Sequence, residues 1–498
     1  MKKLILNTMA SFTNELVTII MGFVLPRLIL VYYGSDVNGL VTSITQFLSF
    51  VSLCEMGIGP VIKANLYRPL ADNDVYSTSC VMKSAKYFFR KIALILVIYT
   101  VILSVVYPSL VADKFDFIFT ATMILIISIS LFAQYYFGIT YQLLLAANQQ
   151  AYIQLFINCI ALTLNTIACV ILMRIGSPIH FVKLTTSVLF AARPVCLAIY
   201  VKTHFKLESN VEYTDEPIKQ KWNGFAQHVA TMVQDNTDTV ILTLFSTLSD
   251  VSIYGIYHLV VNGVRQLVNT VFTGMSSLIG MQIAKGNQEK LNNTFTIFEW
   301  SVHSATTILF SITGLLLLPF VNLYTQGITD ADYLVPTFGV LVTLCGALRC
   351  IQMIYIIVIQ GAGHFKQTQV ASFLEPIINI FISVIAVLRY GLIGVAVGTF
   401  ISLTYRFGYM VLYLKKHILY RPIKIVLKQV CVDILCVALI VFATYFVPKY
   451  ADNYWTWIIN AIINSVISIV SVIFVNLIFY RYYMDVLLRK IFSNKERS

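Results

Sequence analysis

The stretch that decides the fold is WNGFAQHVATMVQDNTDTVILTLFSTLSDVSIYGIYHLVVNGVRQLVNTVFTGMSSLIG, residues 222–280. It reads as two helices of membrane-crossing length, joined near Ser249 and Asp250. Polar residues three or four positions apart share one face of the first helix: Gln227, Thr231, Gln234, Asp235 and Asp238. The second helix carries a similar stripe: Tyr254, His258, Asn262, Arg265 and Asn269. An ionised side chain at the bilayer centre costs about 3 kcal/mol, so we expect both stripes to line a polar lumen.

The composition indicates an all-α polytopic membrane protein. Hydrophobic residues make up 58% of the 498 and charged residues only 12%, whereas a soluble domain is about 25% charged. The apolar runs reach about 20 residues, the length of a membrane-spanning helix, and do not alternate as β-barrel strands do. The nine cysteines form no CxxC pair, so we expect neither a disulfide framework nor a transition-metal site.

Hydropathy predicts about fourteen transmembrane helices, and the distribution of positive charge predicts their orientation. Most of the 35 lysines and arginines fall in alternate loops, on the side that also holds both termini. Because cytoplasmic loops are enriched in these residues, we expect both termini to be cytoplasmic. The net charge of +12 then reflects membrane orientation, and we expect no nucleic-acid partner.

An internal repeat predicts the domain organisation. The sequence GSDVNG at 34–39 has an echo in LSDVSIYG at 248–255, and AANQQAY at 146–152 has one in GAGHFKQ at 361–367. Six helices separate equivalent elements, so the two halves have the same topology, related by a pseudo-two-fold axis along the membrane normal. We therefore predict an N-terminal six-helix lobe at 1–210 and a C-terminal six-helix lobe at 211–424. Two extra helices and a cytoplasmic tail at 425–498 complete the chain.

Several segments carry a resemblance to a known family. They are NTMASF at 7–12, FVLPR at 23–27, YGSDVNGL at 33–40, EMGIGP at 55–60 and PFVNLYTQGITDADYLVP at 319–336. The chain resembles Wzx-type polysaccharide flippases of the MATE-like MOP superfamily over nearly its whole length. The resemblance implies a MATE/MurJ-like fold in the bacterial cytoplasmic membrane. It also implies translocation of undecaprenyl-diphosphate-linked oligosaccharide units by alternating access, for surface or capsular polysaccharide export alongside other polysaccharide assembly proteins.

Intramembrane arginines are the candidate substrate-binding residues, because a guanidinium presents a fork of donors suited to a diphosphate. The candidates for a cationic lumen are Arg27, Arg193, Arg265 and Arg349. The chain is similar to MurJ-like lipid II flippases in having arginines on the first and eighth helices, although its second helix has none. Arg27 has the alternative of extending to the outer head groups, and we expect Arg406 to extend to the membrane surface.

The remaining candidate residues line the lumen or hold a coupling ion. The predicted polar lining comprises Gln234, Asp235, Asp238, His258 and Asn262. The resemblance to MurJ-like flippases implies a cation site formed by Asp238, Glu375, Asn379 and Thr399, with Na⁺ or H⁺ as the coupling ion. A carboxylate with neutral oxygens suits a hard cation. The alternative is that Glu375 and Asn379 only form interhelical hydrogen bonds near Pro376. We expect no other cofactor, and for His303 a buried, hydrogen-bonded position.

Other functions remain open at this stage. A MATE-type cation-coupled multidrug exporter predicts an anionic lumen, against which the arginines argue, and a MurJ-like lipid II flippase is a further alternative. A membrane glycosyltransferase usually needs a sizeable external loop with catalytic residues, and no loop here is long enough. The chain contains no GxxxxGK[ST] motif for ATP hydrolysis, and we expect that it is not an enzyme.

Overall fold

The first helix turns back into a second one without a loop, because Gly34 has a left-handed backbone (φ 85°, ψ 175°) inside the helical segment Lys2–Ser49. This computed structural model describes residues 2–55, 57–208, 211–212, 218, 225–273, 276–448 and 451–484. The side chain of Gln227, which belongs to the predicted stripe, lies outside the described residues. A second kink of the same kind occurs at Gly391 (φ 51°, ψ −130°) within Phe365–His417.

The described residues form helices and turns, and no β-strand occurs among them. In chain order the helices are α1 Lys2–Ser49, α2 Ile58–Ala71, α3 Val75–Leu110, α4 Phe117–Ala133, α5 Ile139–Ala147, α6 Ala151–Arg174, α7 Ile179–His204, α8 Phe225–Phe245, α9 Leu248–Thr273, α10 Ser276–Ala284, α11 Gln288–Tyr324, α12 Pro336–Gly361, α13 Phe365–His417, α14 Lys424–Ala443 and α15 Tyr454–Phe479. A 3-10 turn, Phe50–Glu55, joins α1 to α2, and a π-helical turn, Gln134–Gly138, joins α4 to α5.

Ten helical segments in the described part of the chain are long and apolar enough to cross a membrane. Two of them, Ile5–Glu55 and Phe365–His417, contain the kinks and have 51 and 53 residues, enough for two crossings each. Helices α8 and α9 have 21 and 26 residues and carry the polar stripes. Counted in this way, the described residues provide about fourteen crossings, and the predicted all-α polytopic fold is confirmed.

The backbone shows the internal repeat directly. Gln149 (φ 56°) ends the turn between α5 and α6, and Gly363 (φ 72°) has the same place before α13, 214 positions later. Gly176 (φ 76°) precedes α7, and Gly391 (φ 51°) lies 215 positions later at the α13 kink. Because a left-handed φ is uncommon, its recurrence at the repeat separation shows that corresponding helices in the two halves end in corresponding turns.

The two similar segments at 34–39 and 248–255 contact each other through polar side chains. The Asn38 amide donates a hydrogen bond of 2.8 Å to Ser252 Oγ, and Ser249 Oγ donates one of 2.8 Å to Asp36 Oδ1. Asp36 also forms an ion pair of 3.0 Å with Lys114 in the α3–α4 loop. This carboxylate raises the pKa of the Lys114 ammonium group. Hydrogen bonds between polar side chains thus connect the start of α9 to the kink region of α1.

The chain divides into two compact units, residues 1–252 and 253–498. In the first unit, buried side chains of α1 to α7 form one core that includes Phe89 and Tyr107. In the second unit, Phe295, Phe298 and Tyr355 lie in a core between α11 and α12. Helices α14 and α15 pack on α11, where Trp300 Nε1 donates to Asn476 Oδ1 at 2.6 Å. The lobe boundaries predicted from the repeat stay predictions.

We predict that Gly39→Ala destabilises the protein. A Cβ atom at position 39 would lie 1.8 Å from the Leu248 carbonyl oxygen, which is backbone and has little room to move. Overpacking of this kind costs about 1–3 kcal/mol, so the apparent Tm of the purified protein in detergent should fall by several degrees. Gly408→Ala is the matched control, because a Cβ there meets nothing within 4 Å. Equal melting of the two variants would contradict the close approach.

Candidate functional site

Helix α8 presents only part of its predicted stripe to the protein interior. Gln234 and Asp238 are buried, with 3% and 4% of their surfaces exposed, whereas Asp235 is exposed. Positions four apart share a helical face, and a neighbouring position points about 100° away. The structure therefore separates Asp235 from the other two predicted lining residues.

A second set of α8 side chains, which the sequence did not single out, contacts the second half of α1. The Gln46 amide donates to Asn236 Oδ1, to which Ser49 Oγ also donates at 2.8 Å. About two turns further along α8, the Thr243 hydroxyl lies 2.7 Å from the Ser43 hydroxyl of α1. Each of these polar groups has a partner on the other helix, as buried polar groups in a membrane require.

Cationic side chains of α9 and α12 lie around His258 in the second unit. The charges of Arg265 on α9 and Arg349 on α12 both act electrostatically on the half-buried His258 ring. The Tyr254 ring stacks on His258, with ring centroids 3.9 Å apart. Asn262, between His258 and Arg265, is exposed. The structure thus places Arg265 and Arg349, two predicted lumen residues, each within electrostatic range of a third, His258, and we call these three residues the α9–α12 cationic cluster.

One close contact between α9 and α12 lies near this cluster. A Cβ atom on Gly346 would lie 2.6 Å from Val261 Cγ1, so the absent side chain lets the helices approach here. Arg349 follows one turn later on α12, and Arg265 lies one turn after Val261 on α9. Both arginines therefore lie about one turn beyond the same interhelical contact.

The structure brings together two members of the predicted cation site. Asn379 and Thr399 are buried, and Asn379 Oδ1 accepts hydrogen bonds from Thr399 Oγ1 at 3.2 Å and from Ser383 Oγ at 2.9 Å. Gly398 allows this contact, since a Cβ there would lie 2.1 Å from Ser383 Oγ. Asp238, the fourth predicted ligand, belongs to the other compact unit.

Glu375, the remaining predicted ligand, forms an ion pair with Arg406, with 3.7 Å between Oε2 and Nε. Arg406 also donates to Ser372 Oγ at 2.7 Å and is only 3% exposed. The expectation that Arg406 extends to the membrane surface is therefore wrong. The two halves of α13 pack so closely that its guanidinium reaches a carboxylate inside the protein.

Arg193 and Arg27 lie in the first unit, in different surroundings. Arg193 donates to the Asn158 side chain and lies over the Phe190 ring, 4.1 Å from its centroid. Asn158 in turn donates to Asn14 Oδ1 at 2.7 Å. These groups line a cavity of about 270 Å³ together with three glutamines, Gln134, Gln142 and Gln154. Arg27 is half-buried and directly follows Pro26.

Two buried ionic contacts were not predicted as pairs. Arg421 donates to Glu299, which also accepts a hydrogen bond of 2.5 Å from Tyr355. His303 is fully buried, as predicted, and its Nδ1 lies 2.5 Å from Asp433 Oδ2. Glu299 and His303 are four residues apart on α11, a spacing that signals a shared face but does not identify partners on other helices. These contacts join α11 to α12, α14 and the segment before α14.

The fold resembles that of solved membrane transporters over most of the chain. The lipid II flippase MurJ in an inward closed conformation superposes with a TM-score of 0.72 at 17% identity, covering 96% of this chain and all of that one. An inward-facing multidrug resistance MATE family transporter of the MOP superfamily gives 0.56 at 14% identity, covering 81% and 96%. A eukaryotic MATE transporter gives 0.57 at 12% identity, covering 88% and 98%. No family model and no curated protein matches the sequence. The chain thus has the MurJ and MATE transporter fold.

We predict that Arg421→Met destabilises the protein strongly. The substitution leaves the Glu299 carboxylate buried without its cation, which costs about 3–5 kcal/mol. The apparent Tm in detergent should fall clearly, and the double variant Glu299→Gln/Arg421→Met should recover most of the loss. The control is Arg389→Met, at an exposed arginine. If Arg421→Met melts like the unmodified protein, the pair does not hold these helices together.

Proposed function

We propose that this multi-pass membrane protein is a Wzx-type flippase. It translocates undecaprenyl-diphosphate-linked oligosaccharide units across the bacterial cytoplasmic membrane by alternating access of its two six-helix lobes. Both termini face the cytoplasm, and the exported units serve surface or capsular polysaccharide assembly, with other assembly proteins as partners. The observation that carries the proposal is the α9–α12 cationic cluster within a fold shared with the lipid II flippase MurJ.

The extent of the structural likeness supports a flippase over a drug exporter. The MurJ superposition covers 96% of this chain, whereas the MATE structures cover 81% and 88%. The flippase thus accounts for more of the chain and has the higher TM-score. A lipid-linked substrate also needs a place for its tail, which a soluble drug does not.

The chemistry of the cluster favours an anionic substrate. A diphosphate carries negative charge on several oxygens, and guanidinium groups bind such oxygens through paired, charge-assisted hydrogen bonds. Arg265 and Arg349 supply two guanidinium groups for such contacts. A lumen built for cationic drugs would instead concentrate carboxylates.

An apolar cavity near α14 and α15 supports a binding place for the polyprenyl tail. It has a volume of about 380 Å³ and is lined by residues of α11, α14 and α15, among them Leu315, Leu318, Val441 and Tyr445. Such a cavity accommodates part of a long hydrocarbon chain without exposing it to the polar lumen. We assign these two helices to the tail and the α9–α12 cationic cluster to the head group.

An ion gradient is the proposed drive. Asn379 and Thr399 provide neutral oxygens at one place in the second unit, and Glu375 is the carboxylate of that unit in the proposed Na⁺ or H⁺ site. In this scheme Glu375 exchanges Arg406 for the ion during the transport cycle. If the carboxylate changes partners in this way, the ion binds one conformation more tightly than the other. Coupling of the ion gradient to transport requires such a difference in affinity.

We predict that Arg265→Ala and Arg349→Ala each lower transport. The assay follows radiolabelled polyprenyl-diphosphate oligosaccharide from the inner to the outer leaflet in proteoliposomes. Loss of one charge-assisted hydrogen bond costs about 1.5–3 kcal/mol, so the rate should fall about 10- to 100-fold. Arg389→Ala, at an exposed arginine, should transport normally.

The same preparation separates the competing functions. Normal transport by both cluster variants would retain the flippase but reject the cluster as its binding site. If the unmodified protein moves no lipid-linked sugar but extrudes cationic dyes under a Na⁺ or H⁺ gradient, it is a drug exporter.

We also predict that Asn379→Leu uncouples transport from the ion. The unmodified protein should move lipid faster when a Na⁺ or H⁺ gradient is imposed, whereas the transport rate of the variant should stay low and should not change with the gradient. Thr404→Val is the control, because the exposed Thr404 hydroxyl donates only to the Phe400 carbonyl of its own helix. Transport that is indifferent to both gradients in the unmodified protein would contradict ion coupling.

A further inference from the structure

A basic cavity in the first unit has no role in the function proposed above. It has a volume of about 730 Å³ and lies between the first part of α3, helix α5 and the end of α7. Four cationic side chains line it: Lys83, Lys86, Arg90 and Lys202. Aromatic rings and one carboxylate, Glu208, complete the lining, and the rings include Tyr87, Tyr141 and Phe205.

The four cations have no carboxylate partner within the described part of the chain. Lys83 Nζ donates to the Val211 carbonyl at 2.6 Å. The Lys86 ammonium lies over the Tyr141 ring and the Arg90 guanidinium over the Tyr136 ring, each 4.9 Å from the centroid. Cation–π contacts fix the positions of these charges without neutralising them. The cavity therefore keeps its positive charge available to a ligand.

The sequence of α3 places this cavity at the level of the lipid head groups. Three of the four cations, Lys83, Lys86 and Arg90, belong to the polar first half of α3, and an apolar run follows at 92–110. Those 19 residues span about 28 Å at 1.5 Å per residue, close to the thickness of the hydrocarbon core. Exposed side chains of this run, such as Ile98 and Val105, face outward as expected beside lipid tails. Lys86 and Arg90 thus lie just outside the hydrocarbon, where lipid phosphates are found.

We infer that this cavity binds the phosphate or diphosphate head group of a membrane lipid. Lysine and arginine donors match the anionic oxygens, and basic pockets between transmembrane helices are suited to anionic head groups. The aromatic lining adds apolar surface for the glycerol, sugar or first isoprene unit next to the phosphate. The inference depends only on the membrane location of the chain, and it holds or fails separately from the proposed transport activity.

The test measures lipid binding by the full-length protein in detergent with native mass spectrometry. The probes are farnesyl diphosphate, as a polyprenyl-diphosphate head group, and phosphatidylglycerol, as an anionic phospholipid. Lys86→Gln/Arg90→Gln should weaken binding of at least one probe tenfold or more. The matched control is Lys91→Gln/Lys206→Gln. It removes two exposed positive charges that lie close in sequence to the cavity residues Arg90 and Lys202 but do not line the cavity, and it should bind both probes normally.

The pattern across probes identifies the source of the phosphate. If the cavity variant loses binding of farnesyl diphosphate alone, the site is for a polyprenyl-diphosphate lipid. If it loses binding of phosphatidylglycerol, alone or together with farnesyl diphosphate, the site is for a phospholipid. Equal losses in the cavity variant and its control would overturn the inference, because they would show attraction to surface charge in general. Unchanged binding in the cavity variant would overturn it as well. Unaltered melting of both variants verifies that each is folded.

Discussion

The constraint on which this structure depends is that polar groups inside a membrane must find their partners within the protein. Hydrocarbon offers no hydrogen bonds, so an unmatched charge there is costly. The chain meets this requirement with pairs that join different helices or different halves of one helix, such as Glu299 with Arg421, His303 with Asp433 and Glu375 with Arg406. Each pair also fixes how its helices are rotated and positioned, because the contact forms in only one arrangement.

Arginines inside the protein have two kinds of surroundings. Arg406 and Arg421 contact carboxylates and lie almost fully inside the protein. Arg265 on α9 and Arg349 on α12 both act electrostatically on His258, and the exposed Asn262 lies between His258 and Arg265 in the sequence of α9. A diphosphate near these guanidinium groups would gain charge-assisted hydrogen bonds, so this region is the candidate site for an anionic ligand. The flippase proposal rests on these two arginines and on the shared fold.

The sequence was sufficient to predict the fold and the repeat, but not which charges pair. Long apolar runs and echoes 214 positions apart predict the number of helices and their duplicated order, and the turns at Gln149 and Gly363 repeat at that spacing. Spacing alone did not distinguish Asp235 from Gln234 and Asp238, since neighbouring positions differ by only 100° around a helix. The burial of Arg406 was also missed, because it depends on how closely the two halves of α13 pack at Gly398, which the spacing of polar residues does not reveal.

The most direct test of the account is site-specific photo-crosslinking from α9 to a polyprenyl-diphosphate oligosaccharide in membranes. The photoreactive residue p-benzoylphenylalanine would replace Asn262, which is exposed within the polar stripe, or Leu267, which is exposed outside it. We predict that the lipid-linked sugar crosslinks at position 262 and not at position 267. Crosslinking of a cationic dye at position 262, with no lipid-linked sugar captured there, would contradict the account.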